Sequence, residues 1–466
     1  MKLFIIILFL GLAATRFINL TSIPIFGDES LYLSLAYSIK ENFFINWLNS
    51  IQYGVLPVFI WFQSLIHLLL GQFTNPLFLA RAFSISTDLI SAAFVYLIAK
   101  KLINQKYALF SALIYLSLPL TFFHSRLSLL ETTTNMFIVM AIYLSLQKKL
   151  SKLQVIVLTL IIGLAFFTKP LAIISFFPII TAPLLINKLN FKLLTRHLIS
   201  FFLAALVIAV FYLPIRHKLS MFITPHNLIS SQAFDLFKSN LWKTLAWSKT
   251  YITLPLGLSV LIGIIISLFK KLPQLIWIIF WLTQTILISN YFGAYFFPRH
   301  LFLLAPPVAL LNGYFFYHLF KIKPLMAYLV LFFSLLPALY LNSQIILNPN
   351  TAAIVGEDKE QLYQNWNSGV GLEEISQNLK DLSSKQKITV LVENDPSLVW
   401  PLQYLYSIGN TNIIPFDDFP QDLSIQQPTY LILALGAKLP SDYQLTSIAS
   451  YLRGSNYSID LFQLQP

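Results

Sequence analysis

The chain has 466 residues, of which 57% are hydrophobic, 15% aromatic and only 11% charged, with a mean hydropathy of +0.71 and a formal net charge of +12. Charged residues are less than half as frequent as the roughly 25% of a soluble domain, which excludes an ordinary soluble protein. There is no cysteine, so disulfides, thiolate metal sites and cysteine nucleophiles are excluded too.

The charge is split along the chain. Met1 to Pro349 holds 25 basic and 6 acidic residues, a net of +19, whereas Thr351 to Pro466 holds 6 basic and 13 acidic residues, a net of −7. The first region carries the apolar runs, expected at about 3–20, 55–71, 79–99, 107–123, 132–147, 153–168, 170–187, 197–214, 251–269, 273–290, 299–320 and 324–342. Basic clusters sit between them: Lys100/Lys101/Lys106, Lys148/Lys149/Lys152, Lys188/Lys192/Arg196, Lys270/Lys271 and Lys321/Lys323. Consecutive clusters are separated by two apolar runs, so each cluster reads as cytoplasmic and the basic excess reads as membrane topology, with no nucleic-acid partner.

Lys2 and Lys100 belong on the same side, yet three apolar runs separate them. The run 55–71 is the shortest and carries Pro57, Gln63 and His67, so it is expected to be an interfacial or re-entrant helix on the outer face and not to span. A cleaved signal peptide ending near Ala13-Ala14 is the alternative. The expected architecture is a polytopic α-helical membrane protein, residues 1–345, with about eleven spans, a cytoplasmic N-terminus and a first outer loop of about 21–78. Residues 350–466 follow as a small extracytoplasmic α/β domain. Within it, 371–382 reads as an amphipathic helix, and 388–393, 429–435 and 457–464 read as strands.

Only six acids serve the first 349 residues, and two of them are adjacent in F-G-D-E-S-L-Y: Asp28 and Glu29. They open a short helix in the outer loop, where a capping pair is the plain reading and a general base with a neighbouring acid the functional one. The next outer turn, F-F-H-S-R-L-S-L-L-E, carries His124, Arg126 and Glu131. Lys169 follows in F-F-T-K-P-L, at a very short turn where snorkelling alone could account for it. Arg299 and His300 open the helix in P-R-H-L-F-L-L-A-P-P, and arginine suits phosphate because its fork matches phosphate oxygens. Asp88 lies about two turns into a span from Arg81, with no role evident in the sequence. The long loop 215–250 is basic, with Arg216, Lys218, Lys238, Lys243 and Lys249, and is expected to be solvated or to meet anionic headgroups.

In order and sidedness these stretches resemble the GT-C superfamily of polytopic glycosyltransferases that use polyprenyl-phosphate sugars, nearest to the bacterial branch related to protein O-mannosyltransferases and lipid A aminoarabinose transferase. The Asp-Glu pair with an aromatic is Asp28-Glu29 with Tyr32. Y-G-V-L-P-V-F-I-W-F, starting at Tyr53, matches the Pro-containing amphipathic segment without its leading His-Pro. L-A-R-A-F-S supplies Arg81. Arg126 and Glu131 match the Ser-Arg…Asp/Glu turn, F-T-K-P-L the Thr-Lys-Gly turn with Pro170 for the glycine, and P-R-H the Arg-Tyr element with His300 for the tyrosine. W-N-S-G-V-G, starting at Trp366, is similar to the stretch that opens the outer domain.

The resemblance implies sugar transfer from a polyprenyl-phosphate donor to an acceptor hydroxyl on a lipid, glycan or protein, with inversion, at the outer face of a plasma or inner membrane. It implies Asp28 as base, with Glu29 orienting the site or binding substrate. Tyr53, Arg81, Arg126, Glu131, Lys169, Arg299 and His300 become candidates to bind substrate or phosphate, with Glu131 also a candidate ligand for a divalent cation. A lipid or sugar transporter is the rival class. It calls for inverted repeats and mid-membrane charge, and no internal repeat is evident. A non-catalytic member with a degenerate site is the other alternative.

Overall fold

The computed structural model describes residues 2–186, 190–213, 231–292, 296–406, 410–417, 419, 427–434, 443–454 and 457–465. Lys188, Arg216 and Lys218 of the basic clusters lie outside the described residues. The chain is a polytopic helical protein with a small C-terminal sheet domain. By packing it forms two units. The first comprises Met1–Leu20, Leu48–Phe59 and Arg81–Val355. The second comprises Thr21–Trp47, Ile60–Ala80 and Gly356–Pro466.

Every expected apolar run of the first unit carries helix. Among the described residues, five helices are long and apolar enough to cross a membrane: Pro76–Leu102, Phe191–Phe211, Ala233–Lys270, Pro298–Ile322 and Pro324–Leu347. A sixth candidate is the pair Gln105–Ser117 and Pro119–Ser125, bent by 54°. Shorter apolar helices include Ile6–Thr15, Lys152–Thr168 and Pro170–Leu185. The bend has a sequence cause: Pro119 has no N–H to give Tyr115 and restricts Leu118 before it. The basic stretch expected as loop is helical over Ser231–Ser248, and it runs through a π turn at Lys249–Thr253 into Leu254–Lys270. Two of its polar side chains bond to Asn290: Asn240 Nδ2 donates to its carbonyl at 3.0 Å, and Thr244 Oγ1 donates to its Oδ1 at 2.9 Å.

The 14-residue helix Pro57–Leu70 is about 21 Å long at 1.5 Å per residue, short of a ~30 Å hydrocarbon core. Its polar residues Gln63, Ser64 and His67 are buried, whereas Leu65, Leu68, Leu69 and Leu70 are exposed. The helix thus turns an apolar face outward and is too short to span.

In the second unit, strands β1 (Ile388–Glu393), β2 (Thr411–Phe416), β3 (Thr429–Leu433), β4 (Gln444–Arg453) and β5 (Tyr457–Gln465) form one sheet in the order β2-β1-β3-β5-β4. β1 pairs parallel with β2 and β3, while β5 pairs antiparallel with β3 and β4. The helix Leu372–Ser383 buries Leu372, Ile375 and Leu379 against Ile388, Val390 and Val392 of β1, as its amphipathic pattern predicts.

Candidate active site

Glu131 stands in the first turn of the helix Leu130–Ser145, where the helix dipole favours an anion. Lys169 follows the last residue of Lys152–Thr168. Its extended backbone (φ −156°, ψ 130°) is what the following Pro170 requires, so the helix stops there. Lys169 Nζ lies 2.5 Å from Glu131 Oε1, and Arg299 Nε lies 3.8 Å from the same oxygen. Arg299 comes from the 3₁₀ turn Pro298–Leu304, and its guanidinium lies over the Phe297 ring at 4.7 Å. In the same turn His300 Nδ1 accepts from the Phe297 N–H at 3.3 Å. The acid is 4% exposed, whereas Lys169 and Arg299 are 20% and 14% exposed. One buried carboxylate thus aligns two cations that keep access to a ligand, leaving a net of one positive charge. Phosphate oxygens match such a site. A hard divalent cation, which takes several oxygen ligands, does not fit it. Among the described residues no three His, Cys, Asp or Glu side chains gather to hold a metal.

Arg126 and Arg81, grouped with these cations from the sequence, point elsewhere. Arg126 Nη1 donates to the carbonyls of Arg16 and Ile18, each at 2.8 Å, and Nη2 to that of Asn19 at 2.9 Å. Arg81 Nη1 donates to the carbonyl of Leu20 at 2.9 Å. His124 is buried, its Nδ1 donating to the Leu120 carbonyl at 3.0 Å and its ring edge-on to Tyr251. Tyr53, in the 3₁₀ turn Asn49–Tyr53, is 48% exposed.

In the second unit Asp28 and Glu29 open the helix Gly27–Glu41. Their environments differ. Glu29 is completely buried, and its Oε2 accepts the N–H of Phe26, the residue that caps the helix, at 3.4 Å. Asp28 is only partly buried. The W-N-S-G-V-G stretch fastens this helix start. The Gly27 N–H donates to the Asn367 carbonyl at 2.9 Å, and Phe26 bridges to Ser368 in antiparallel fashion. Gly369 passes so close to the Ile25 carbonyl that a Cβ there would collide with it. Gly371, at φ 86°, turns the chain into Leu372–Ser383. Spacing did not reveal this contact, because residues 25–27 and 366–371 are more than 300 positions apart in sequence.

Residues 55–215 match the model of the dolichyl-phosphate-mannose-protein mannosyltransferase family. Over nearly its full length the chain superposes on ArnT from Cupriavidus metallidurans bound to undecaprenyl phosphate. That match has a TM-score of 0.65 and 12% identity, covering 98% of this chain and 97% of that one. The chain has the fold of the GT-C superfamily. The apo state of the same ArnT matches with a TM-score of 0.60 at 11% identity, covering 98% of this chain and 97% of that one. The archaeal oligosaccharyltransferase AglB from Archaeoglobus fulgidus, in complex with an inhibitory peptide and a dolichol-phosphate, matches with a TM-score of 0.52 at 12% identity. There 90% of this chain covers 62% of that one. A comparison with curated protein sequences finds no match. The GT-C fold is thus carried by architecture, with little sequence identity behind it.

Proposed function

We propose that this GT-C chain is a membrane glycosyltransferase that moves a sugar from a polyprenyl-phosphate donor to an acceptor hydroxyl at the outer face of the membrane. The observation that supports it most is the pair of partly exposed cations, Lys169 and Arg299, aligned by buried Glu131. In this reading the acceptor hydroxyl gives its proton to the Asp28 carboxylate and its oxygen attacks the anomeric carbon. The bond from that carbon to the phosphate oxygen breaks with inversion, and polyprenyl phosphate leaves with the electron pair. Lys169 and Arg299 stabilise the charge gathering on that phosphate, where fixed donors act most strongly. Asp28 is favoured over Glu29 as base because Glu29 is buried and engaged at the helix start. Tyr53 is assigned to substrate contact and His300 to holding the Arg299 turn.

The test is transfer from a radiolabelled polyprenyl-phosphate sugar in membranes containing the chain. Asp28→Asn is expected to lower turnover by about 10²–10⁴-fold, the usual worth of a general base. Near wild-type turnover by a correctly inserted variant would remove the base assignment.

A further inference from the structure

Among the described residues of the first unit, three arginines are completely buried: Arg16, Arg81 and Arg126. All three bear on the segment 16–20, which follows the helix Lys2–Thr15 and ends eight residues before Asp28. Arg126 takes the carbonyls of residues 16, 18 and 19, and Arg81 takes that of residue 20. Asn19 stands at φ 50°, the left-handed conformation in which a helix end commonly turns.

The Arg16 side chain works in the opposite direction. Its Nη1 donates to Asp88 Oδ2 at 2.6 Å, to Ser125 Oγ at 2.7 Å and to the Thr121 carbonyl at 2.9 Å. Its Nη2 donates to the Leu116 carbonyl at 2.9 Å. Leu116 lies before the Pro119 bend, and Thr121 and Ser125 lie after it. The carbonyl of Tyr115, deprived of its helical donor by Pro119, accepts from Thr121 Oγ1 at 2.6 Å instead. Backbone groups freed inside a membrane must find such partners. Asp88 is held by the Tyr115 hydroxyl at 2.7 Å as well, and Asn135 Nδ2 donates to that hydroxyl at 2.9 Å. Asn135 lies one turn beyond Glu131 on the same helix. The Phe122 ring is near both guanidinium groups, 5.4 Å from that of Arg16 and 5.7 Å from that of Arg126.

We propose that Arg16, Arg81 and Arg126 are positioning residues that clasp the chain at 16–20, with Asp88 as the buried anchor of Arg16, and so fix the root of the loop that carries Asp28. Arg16 holds the bend from which Arg126 projects, and Arg126 holds the backbone from which Arg16 projects. Neither half keeps its geometry without the other. Asp88, mid-span and outside the transfer chemistry, acquires a role here. An ionisable group in a span calls for a named partner, and Arg16 supplies it. The catalytic consequence rests on the reading of Asp28 as base, whereas the clasp itself does not.

The chain lacks cysteine, so Ile18→Cys, at a 48% exposed side chain, gives a single thiol for a spin label. The full chain would be labelled in lipid nanodiscs and compared with Arg126→Lys and Arg81→Lys in the same background. Lysine keeps the charge but cannot serve several carbonyls in a fixed fork. The label's correlation time is expected to shorten severalfold in both variants, with the thermal shift produced by added undecaprenyl phosphate retained. Lys169→Ala is expected to give the reverse: an ordered label and a lost shift. Turnover of the two arginine variants should fall by up to about a hundredfold at little changed KM, the effect of misplacing a reacting group by about 1 Å. An ordered label in monodisperse Arg126→Lys and Arg81→Lys would overturn the clasp. So would loss of the undecaprenyl-phosphate shift in Arg126→Lys with the label still ordered, which would make Arg126 a phosphate ligand. A wild-type chain without transfer activity would remove the proposed function and leave the label measurement decisive for the clasp.

Discussion

Asp28 and Glu29 are adjacent carboxylates with unlike surroundings, and substitution should separate them. Glu29 is fully buried and bonded to the Phe26 N–H, so Glu29→Ala is expected to lower the melting temperature through a loss of about 1 kcal/mol or more at the helix start. Asp28→Asn should leave the melting curve in place while transfer collapses. Thermal unfolding of both variants, set beside their turnover, checks the division, and equal destabilisation would erase it. His67 offers a second residue-scale expectation. It is completely buried against Tyr37, and neither ring nitrogen has a hydrogen-bond partner among the described residues. Burial, aided by the Lys40 charge, lowers its pKa to about 4. The folded state thus favours neutral imidazole, and its contribution to stability is full above the ordinary value near 6.5 and is lost as pH falls from there toward 4. Melting temperatures measured from pH 7 to 4 should drop more steeply in the wild type than in His67→Phe, where this proton uptake is absent. Parallel curves would show that His67 does not carry the acid sensitivity.

At the level of elements, the helices were legible wherever apolar runs had clear ends, and the local chemistry of those ends was legible too. Pro170 after Lys169 marks a break that the structure contains, whereas the run 107–123, expected as one segment, is broken at Pro119. The helix at Ser231–Ser248 was not legible, because its lysines read as solvated loop and its Asn240 and Thr244 find partners only through Asn290, far along the chain. β2 and β4 also escaped notice. β2 is an edge strand that contains Pro415, and β4 is an edge strand with few buried residues, so neither carries the apolar run that revealed β1 and β3. The W-N-S-G-V-G stretch was visible as a motif, yet its physical purpose needed the fold. Gly369→Ala tests that purpose. The added methyl meets backbone, the Ile25 carbonyl, and not the end of a flexible side chain. The bridge between Phe26 and Ser368 must therefore shift, and the start of the Asp28 helix with it. Turnover should fall roughly in step with the melting temperature, in contrast to Asp28→Asn. Wild-type values for both would show that residues 366–371 do not hold the helix start.

At the level of the molecule, charge asymmetry was the most informative feature of the sequence, because it reports two different solvents for two parts of one chain. A net of +19 before residue 350 and −7 after it separated a membrane region from a polar one before any element was considered. The candidate site was legible only in part. Glu131, Lys169 and Arg299 do come together, but Arg81 and Arg126 looked identical to phosphate ligands in sequence, since no pattern tells an arginine aimed at carbonyls from one aimed at a ligand. The sidedness that the lysine clusters imply is a property of the whole chain and can be measured directly. Because the chain has no cysteine, single thiols can be placed at Gln105, exposed among Lys100, Lys101 and Lys106, and at Ser384, exposed at the end of Leu372–Ser383. The positive-inside rule puts the first in the cytoplasm. An odd number of spans then puts the second outside. An impermeant maleimide added to intact cells should label Ser384→Cys and leave Gln105→Cys unmodified until the membrane is permeabilised. Labelling of Gln105→Cys from outside would invert the topology. Protection of both would make the number of spans even, and would place the C-terminal domain on the side away from the proposed chemistry.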